Sequence, residues 1–74
     1  MESFRFLLLD PDRSILAEQS HELPDIAAIW PFVEEMLKDR RAIPGHRISV
    51  RDSRNGIVAS LGVSQAQWLF QRAA

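Results

Sequence analysis

The amino-acid sequence predicts an α+β domain in the order strand-strand-helix-strand-strand, an antiparallel sheet with one main helix on one face and a short helix at the C-terminus. Three observations carry this. Apolar side chains alternate at Phe4, Phe6 and Leu8 and again at Ile48 and Val50, which gathers them on one face of a strand. Between them Ile26, Ile29 or Trp30, Val33, Met36 and Leu37 recur at helical spacing. Turn-formers, Asp10-Pro11-Asp12 and Asn55-Gly56, sit where each alternating run would reverse. Residues 1–74 read as a single domain, without linker, low-complexity run or evident internal repeat.

The first strand sets Phe4, Phe6 and Leu8 toward a core and Arg5, Leu7 and Leu9 away from it. Proline presets φ in the turn that follows and the aspartates accept hydrogen bonds from nearby amides, so Ile15-Leu16-Ala17 returns as a short second arm. Asp25 then opens an amphipathic helix over about residues 25–41, with Glu34, Glu35, Lys38 and Asp39 on its outer side. Pro31 lacks an amide donor and crowds the preceding turn, so a distortion is expected before it; the other solution is a helix that begins near Trp30 with Pro31 in its first turn. Ile43-Pro44-Gly45 ends the helix.

Arg47-Ile48-Ser49-Val50-Arg51 alternates cleanly, Ile48 and Val50 inward and the polar side chains outward. Asn55-Gly56 tolerates the positive φ of a hairpin turn, and residues 57–63 pair back with Ala59, Leu61 and Val63 or their neighbours inside. Ser64 is placed to cap a short helix through Gln71.

A chain of 74 residues buries only about 60% of its unfolded surface. Small domains compensate with disulfides, metals or a partner subunit, and the absence of cysteine removes the first along with thiolate metal sites. Self-association is therefore expected. The start carries no basic leader-like region and no stretch is apolar enough to span a bilayer, so no membrane contact and a cytoplasmic location are expected. Charge is nearly balanced in total and unevenly placed: two basic against eight acidic side chains over residues 1–37, seven against two over residues 38–74. Acids at a helix start and bases at its end would complement the macrodipole and account for part of this.

Asp10-x-Asp12, Ile15, Glu18 and Glu22-Leu23-Pro24-Asp25, followed after the helix by Ile48-x-Val50-x-Asp52 and Gly56, resemble a family of short, uncharacterised bacterial proteins, mostly alphaproteobacterial. Its members begin with an aromatic-rich strand, turn at D-G-D, enter a helix at E-L-P-D and end in a V-x-D-x-x-G hairpin. The resemblance covers residues 3–61 and implies an architecture without a reaction. Pro11 stands where the family has glycine, Leu16 and Ala17 replace Pro-Asp, Ser20 replaces glycine, the second turn is one residue longer and Pro31 is unusual.

Candidate chemistry is sparse. Asp10, Asp12 and Glu18 are oxygen donors, but Leu16 and Ala17 interrupt any calcium-loop spacing, and turn hydrogen bonds account for the aspartates better. Glu22 and Asp25 read as helix-start acids. His21 and His46 are separated by the whole helix, with no nucleophile or acid spaced for a triad. No catalytic, metal or cofactor site is expected, and the chain does not read as an enzyme.

Two surface sets remain. With Phe4, Phe6 and Leu8 under the helix, Leu7, Leu9 and Leu16 fall on the opposite sheet face, where the family resemblance implies polar side chains. A single helix cannot cover both faces. Either the tail with Trp68, Leu69 and Phe70 folds over these leucines or another chain does, and a domain-swapped or paired-edge dimer would combine both. The expected function is a non-catalytic protein-interaction module, a homodimer using this apolar face and tail, with an unidentified protein partner as a further occupant. The alternative is a nucleic-acid-binding module using the basic cluster of residues 38–54 through Arg40, Arg41, Arg47 and Arg51, with Trp68 or Phe70 stacking on a base.

Overall fold

The computed structural model describes residues 1–73, with side chains through Gln71. Strands β1 (Glu2–Leu9), β2 (Ile15–Leu23), β3 (Arg47–Arg51) and β4 (Ile57–Gly62) form one antiparallel sheet in the order β2-β1-β3-β4. A 3-10 turn (Ile26–Ile29) and helix α1 (Trp30–Met36) connect β2 to β3, and helix α2 (Val63–Ala73) follows β4. The predicted α+β architecture is what the chain adopts.

The core lies between one sheet face and the helices. Phe4, Phe6 and Leu8 of β1, Ile48 and Val50 of β3, Ile29, Val33 and Met36 from the helical segment and Val63 of α2 are all buried together. Ala59 and Leu61 of β4 pack against them on the expected inner face. His21, on the same face of β2, leans on Phe32 (centroids 4.2 Å apart) and on the edge of Phe6 (5.5 Å), making a small aromatic cluster.

Three boundaries differ from expectation. The second arm of the first hairpin is nine residues rather than three, because His21, Glu22 and Leu23 continue pairing with β1 instead of entering a helix. Glu22 is consequently a strand residue opposite Ser3. The expected long helix is a 3-10 turn capped by Asp25, whose carboxylate accepts from the Ala28 amide at 3.2 Å, followed by seven α-helical residues with Pro31 in the first turn. Beyond Met36 the backbone tightens into single turns, and Asp39 accepts from the Arg41 amide at 2.8 Å. Val63 begins α2 rather than ending β4, which makes α2 the longest helix at eleven residues.

The fold also holds a repeat that the sequence reading missed. Arg5-Phe-Leu-Leu-Leu-Asp10 and Arg47-Ile-Ser-Val-Arg-Asp52 lie at a constant offset of 42 residues, followed by Ile15-Leu-Ala17 and Ile57-Val-Ala59 at the same offset. The two turns between are built alike. Asp10 Oδ1 accepts from the Asp12 and Ser14 amides, and Asp52 Oδ1 from the Arg54 and Gly56 amides, at 2.9 Å in each case. Arg13 and Asn55 occupy the same left-handed position, with φ of 67° and 66°. Both hairpins then shift register beside the turn, leaving Leu16 and Val58 as extra residues that pack into the core.

Candidate functional site: the open face of the sheet

The face of the sheet away from the helices is uncovered, and β-strand alternation decides what it carries. Register places Arg5, Leu7 and Leu9 of β1 beside Arg51, Ser49 and Arg47 of β3 in that order. Glu18 of β2 stands opposite Leu7, and Ser60 of β4 opposite Ser49. Leu9, Arg13, Arg47, Arg51 and Ile57 surround a shallow depression of about 400 Å³. A second, of about 270 Å³, adjoins it over Arg5, Leu7 and Ile15.

Leu7 and Leu9 are on this face as predicted. Leu7 is nevertheless only 4% exposed, with no helix above it; Glu18 and Ser49 stand opposite it on the flanking strands, and Arg5 and Arg51 line the same depression. The apolar area that reaches solvent is at the margins, where Ile15 and Ile57 are 54% and 61% exposed. Neither isoleucine stood out in the sequence. Both follow the left-handed turn residue, and their exposure depends on the register shifts beside the turns.

The remaining predicted contact residues lie elsewhere. Leu16 is the bulge residue of the first hairpin and packs into the core, so it leaves the open face. The tail does not cover that face either. Val63 and Ala66 are buried and Phe70 packs against the core, which sets α2 on the helix side of the sheet beside α1. Trp68 and Leu69 are exposed there. The open face and the Trp68–Phe70 tail are thus on opposite sides of the molecule.

The predicted basic cluster divides in the same way. Arg47 and Arg51 project from the open face, but Arg40 and Arg41 belong to the turns after α1. Arg41 is clasped to Asp39 at 2.9 Å and donates to the Leu16 carbonyl on the outer strand β2. The hydrogen bonds from Arg41, two through its guanidinium and one through its amide, hold the Asp39 carboxyl at about 2. Arg5 and Arg13, from the acidic half of the sequence, take the vacated places. Arg5 was detectable from the alternation Arg5, Leu7, Leu9 once β1 pairs with β3; Arg13 required the turn geometry.

Basic side chains outnumber acidic ones on the open face, where Glu18 and, at the rim of the larger depression, Asp10 are the carboxylates. Arg5 forms an ion pair with Glu18 at 3.0 Å. Among the described residues no carboxylate lies within ion-pair distance of Arg13, Arg47 or Arg51. Arg47 donates to the Ser60 hydroxyl at 3.3 Å, and Arg51 to the Asn55 carbonyl at 3.3 Å, both neutral acceptors. The Arg51 Nε is buried without a partner. Such a surface can hold carboxylates or phosphates through guanidinium forks, on a floor that is aliphatic rather than aromatic.

Among the described residues no three His, Asp or Glu side chains are grouped to hold a metal ion. His46 is committed to the Arg41 carbonyl at 2.7 Å and His21 to the aromatic cluster. No helix of the described residues is long and apolar enough to cross a membrane. Compared with family models, curated proteins and solved structures, the chain matches none.

Proposed function

We propose that this chain is a non-catalytic protein-interaction module whose working surface is the open face of the sheet, and that the partner presents carboxylates beside aliphatic side chains. The observation that carries this reading is the placement of Arg13, Arg47 and Arg51 around Leu9 and Ile57 with no ion pair to any of the three among the described residues; Asp10, on the same rim, has its Oδ1 engaged by the Asp12 and Ser14 amides. Arginine gathered around a small apolar centre is the composition of a protein interface. A second copy of the same face is a poor occupant, because face-to-face packing would set one row of arginines against another.

Nucleic acid is the second reading, favoured by the alignment of Arg5, Arg51 and Arg47 along the central strands. The aromatic side chains expected to stack on bases, Trp68 and Phe70, are on the other side of the sheet. That weighs against a single-stranded ligand. Membership in the short bacterial family of the Glu22–Asp25 motif, and a cytoplasmic site of action, belong to the same proposal; the order of elements and the absence of cysteine support them.

The test is capture from native lysate by the tagged full chain, with and without nuclease, compared with Arg47→Glu plus Arg51→Glu. A protein retained after nuclease and lost with the double variant is the expected result. Capture that nuclease abolishes moves the assignment to nucleic acid, and capture indifferent to the double variant removes the open face from both readings.

A further inference from the structure

The two outer strands of the sheet differ in how their unpaired backbone is guarded. β2 carries Glu18, His21 and Glu22, has a bulge at Leu16, and has the Leu16 carbonyl occupied by Arg41. Charge, irregularity and a capping side chain are the usual means by which an edge is kept from pairing. β4 shares only the irregularity, a bulge at Val58 next to the turn, and from Ala59 to Gly62 it pairs regularly with β3. Its six residues, Ile57-Val58-Ala59-Ser60-Leu61-Gly62, include no charge and no proline.

Which peptide groups of β4 are available follows from one bond. The Val63 amide donates to the His46 carbonyl at 2.9 Å, on the same register that pairs Gly62 with Arg47. Antiparallel alternation then turns Leu61 and Ala59 toward β3, and directs the peptide groups of Ser60 and Gly62 away from it, along the free edge.

Helix α2 flanks this edge on the helix side. Gln67 and Gln71 border α1 together with Glu34 and Lys38. At 3.6 residues per turn Leu69 lies about 160° around the helix from Gln67 and Gln71, on the flank away from α1, and is 43% exposed.

We propose that β4 is an assembly edge, pairing antiparallel with β4 of a second copy about a two-fold axis, with Leu69 of the two α2 helices meeting across that axis. A second copy fits because the strand is uncharged, so self-pairing sets no like charges opposite one another. The contact is isologous and closes at two subunits. It also joins the two open faces into one eight-stranded surface on which Arg5, Arg47 and Arg51 appear twice. The pairing uses the edge and the helix side, so it stands independently of what binds the open face.

The experiment is sedimentation velocity of the full chain from micromolar to high micromolar concentration, with amide exchange read by NMR. Twice the 8.5 kDa chain mass is expected, with the Ser60 and Gly62 amides protected in the dimer. Ser60→Pro removes a donor that the single chain leaves unused, and Leu69→Glu alters the helix flank without touching the strand. Each should weaken dimerisation by about tenfold or more. Leu69→Glu keeps the test decisive if the proline variant misfolds. A chain that is monomeric throughout the range overturns the proposal. So does a dimer in which Ser60 and Gly62 exchange freely, or one that resists Leu69→Glu and dissociates with Leu9→Asp.

Discussion

The two hairpins share a turn, a bulge and a register, yet they do different work. In the first, β1 supplies Phe4, Phe6 and Leu8 to the core, Arg5 is ion-paired to Glu18, and the outer strand is guarded. In the second, the core contribution is smaller, Arg47 and Arg51 have only neutral acceptors, and the outer strand is bare. One backbone pattern can therefore be spent on stability or on a surface. The allocation depends on which side chains occupy equivalent positions, Leu9 against Arg51 and Glu18 against Ser60 being the informative pairs.

Core truncation should break this comparison most strongly. Phe6→Ala, which empties the aromatic cluster with His21 and Phe32, is expected to cost about 4 kcal/mol, and its counterpart Ile48→Ala about 3 kcal/mol, in urea unfolding. Equal losses would mean that the helices lean equally on both hairpins. At the turns the hairpins should behave alike. Asp10→Ala and Asp52→Ala each leave two amides without their acceptor and should each cost about 1 to 2 kcal/mol by the same measurement. A large difference between them would show that the turns are equivalent in shape and not in energy.

The smallest effect concerns the guarded edge. Asp39 is held at about 2 by Arg41, below the ordinary value of 3.8. A carboxyl depressed in the folded state stabilises fully above its unfolded pKa and loses that contribution as pH falls through the folded one. Wild type should therefore exceed Asp39→Asn in stability above about pH 4 and converge with it as pH falls toward 2. A gap that persists at pH 2 would assign the difference to packing rather than charge.

Much of this was legible in the residues. Alternation at Phe4–Leu8 and Ile48–Val50 identified two strands and their inner faces, Asp10-Pro11-Asp12 and Asn55-Gly56 identified the turns, and Pro31 marked where the helix had to be irregular. These signals are local, set by steric preference at one residue or by a period of two. What was misread is equally specific. The Glu22-Leu23-Pro24-Asp25 segment looked like a helix entry, and only its last residue is one, since Glu22 and Leu23 have strand partners 20 or so positions earlier.

The surface was harder to read than the core for the same reason. Leu7 looked exposed because no helix could reach it, but it is buried, and its neighbour Ser49 comes from a strand more than 40 residues away. Leu16 left the face because a bulge reversed its direction, and Arg5 and Arg13 joined Arg47 and Arg51 because β1 pairs with β3. The unevenness of charge along the chain gave no hint of that grouping. Local chemistry settled which segments are strands, where they turn and which side chains point inward. Which arginines share a face, which side the tail covers and which edge is left bare depend on long-range pairing, because hydrogen bonding between distant strands fixes the register that brings those side chains together.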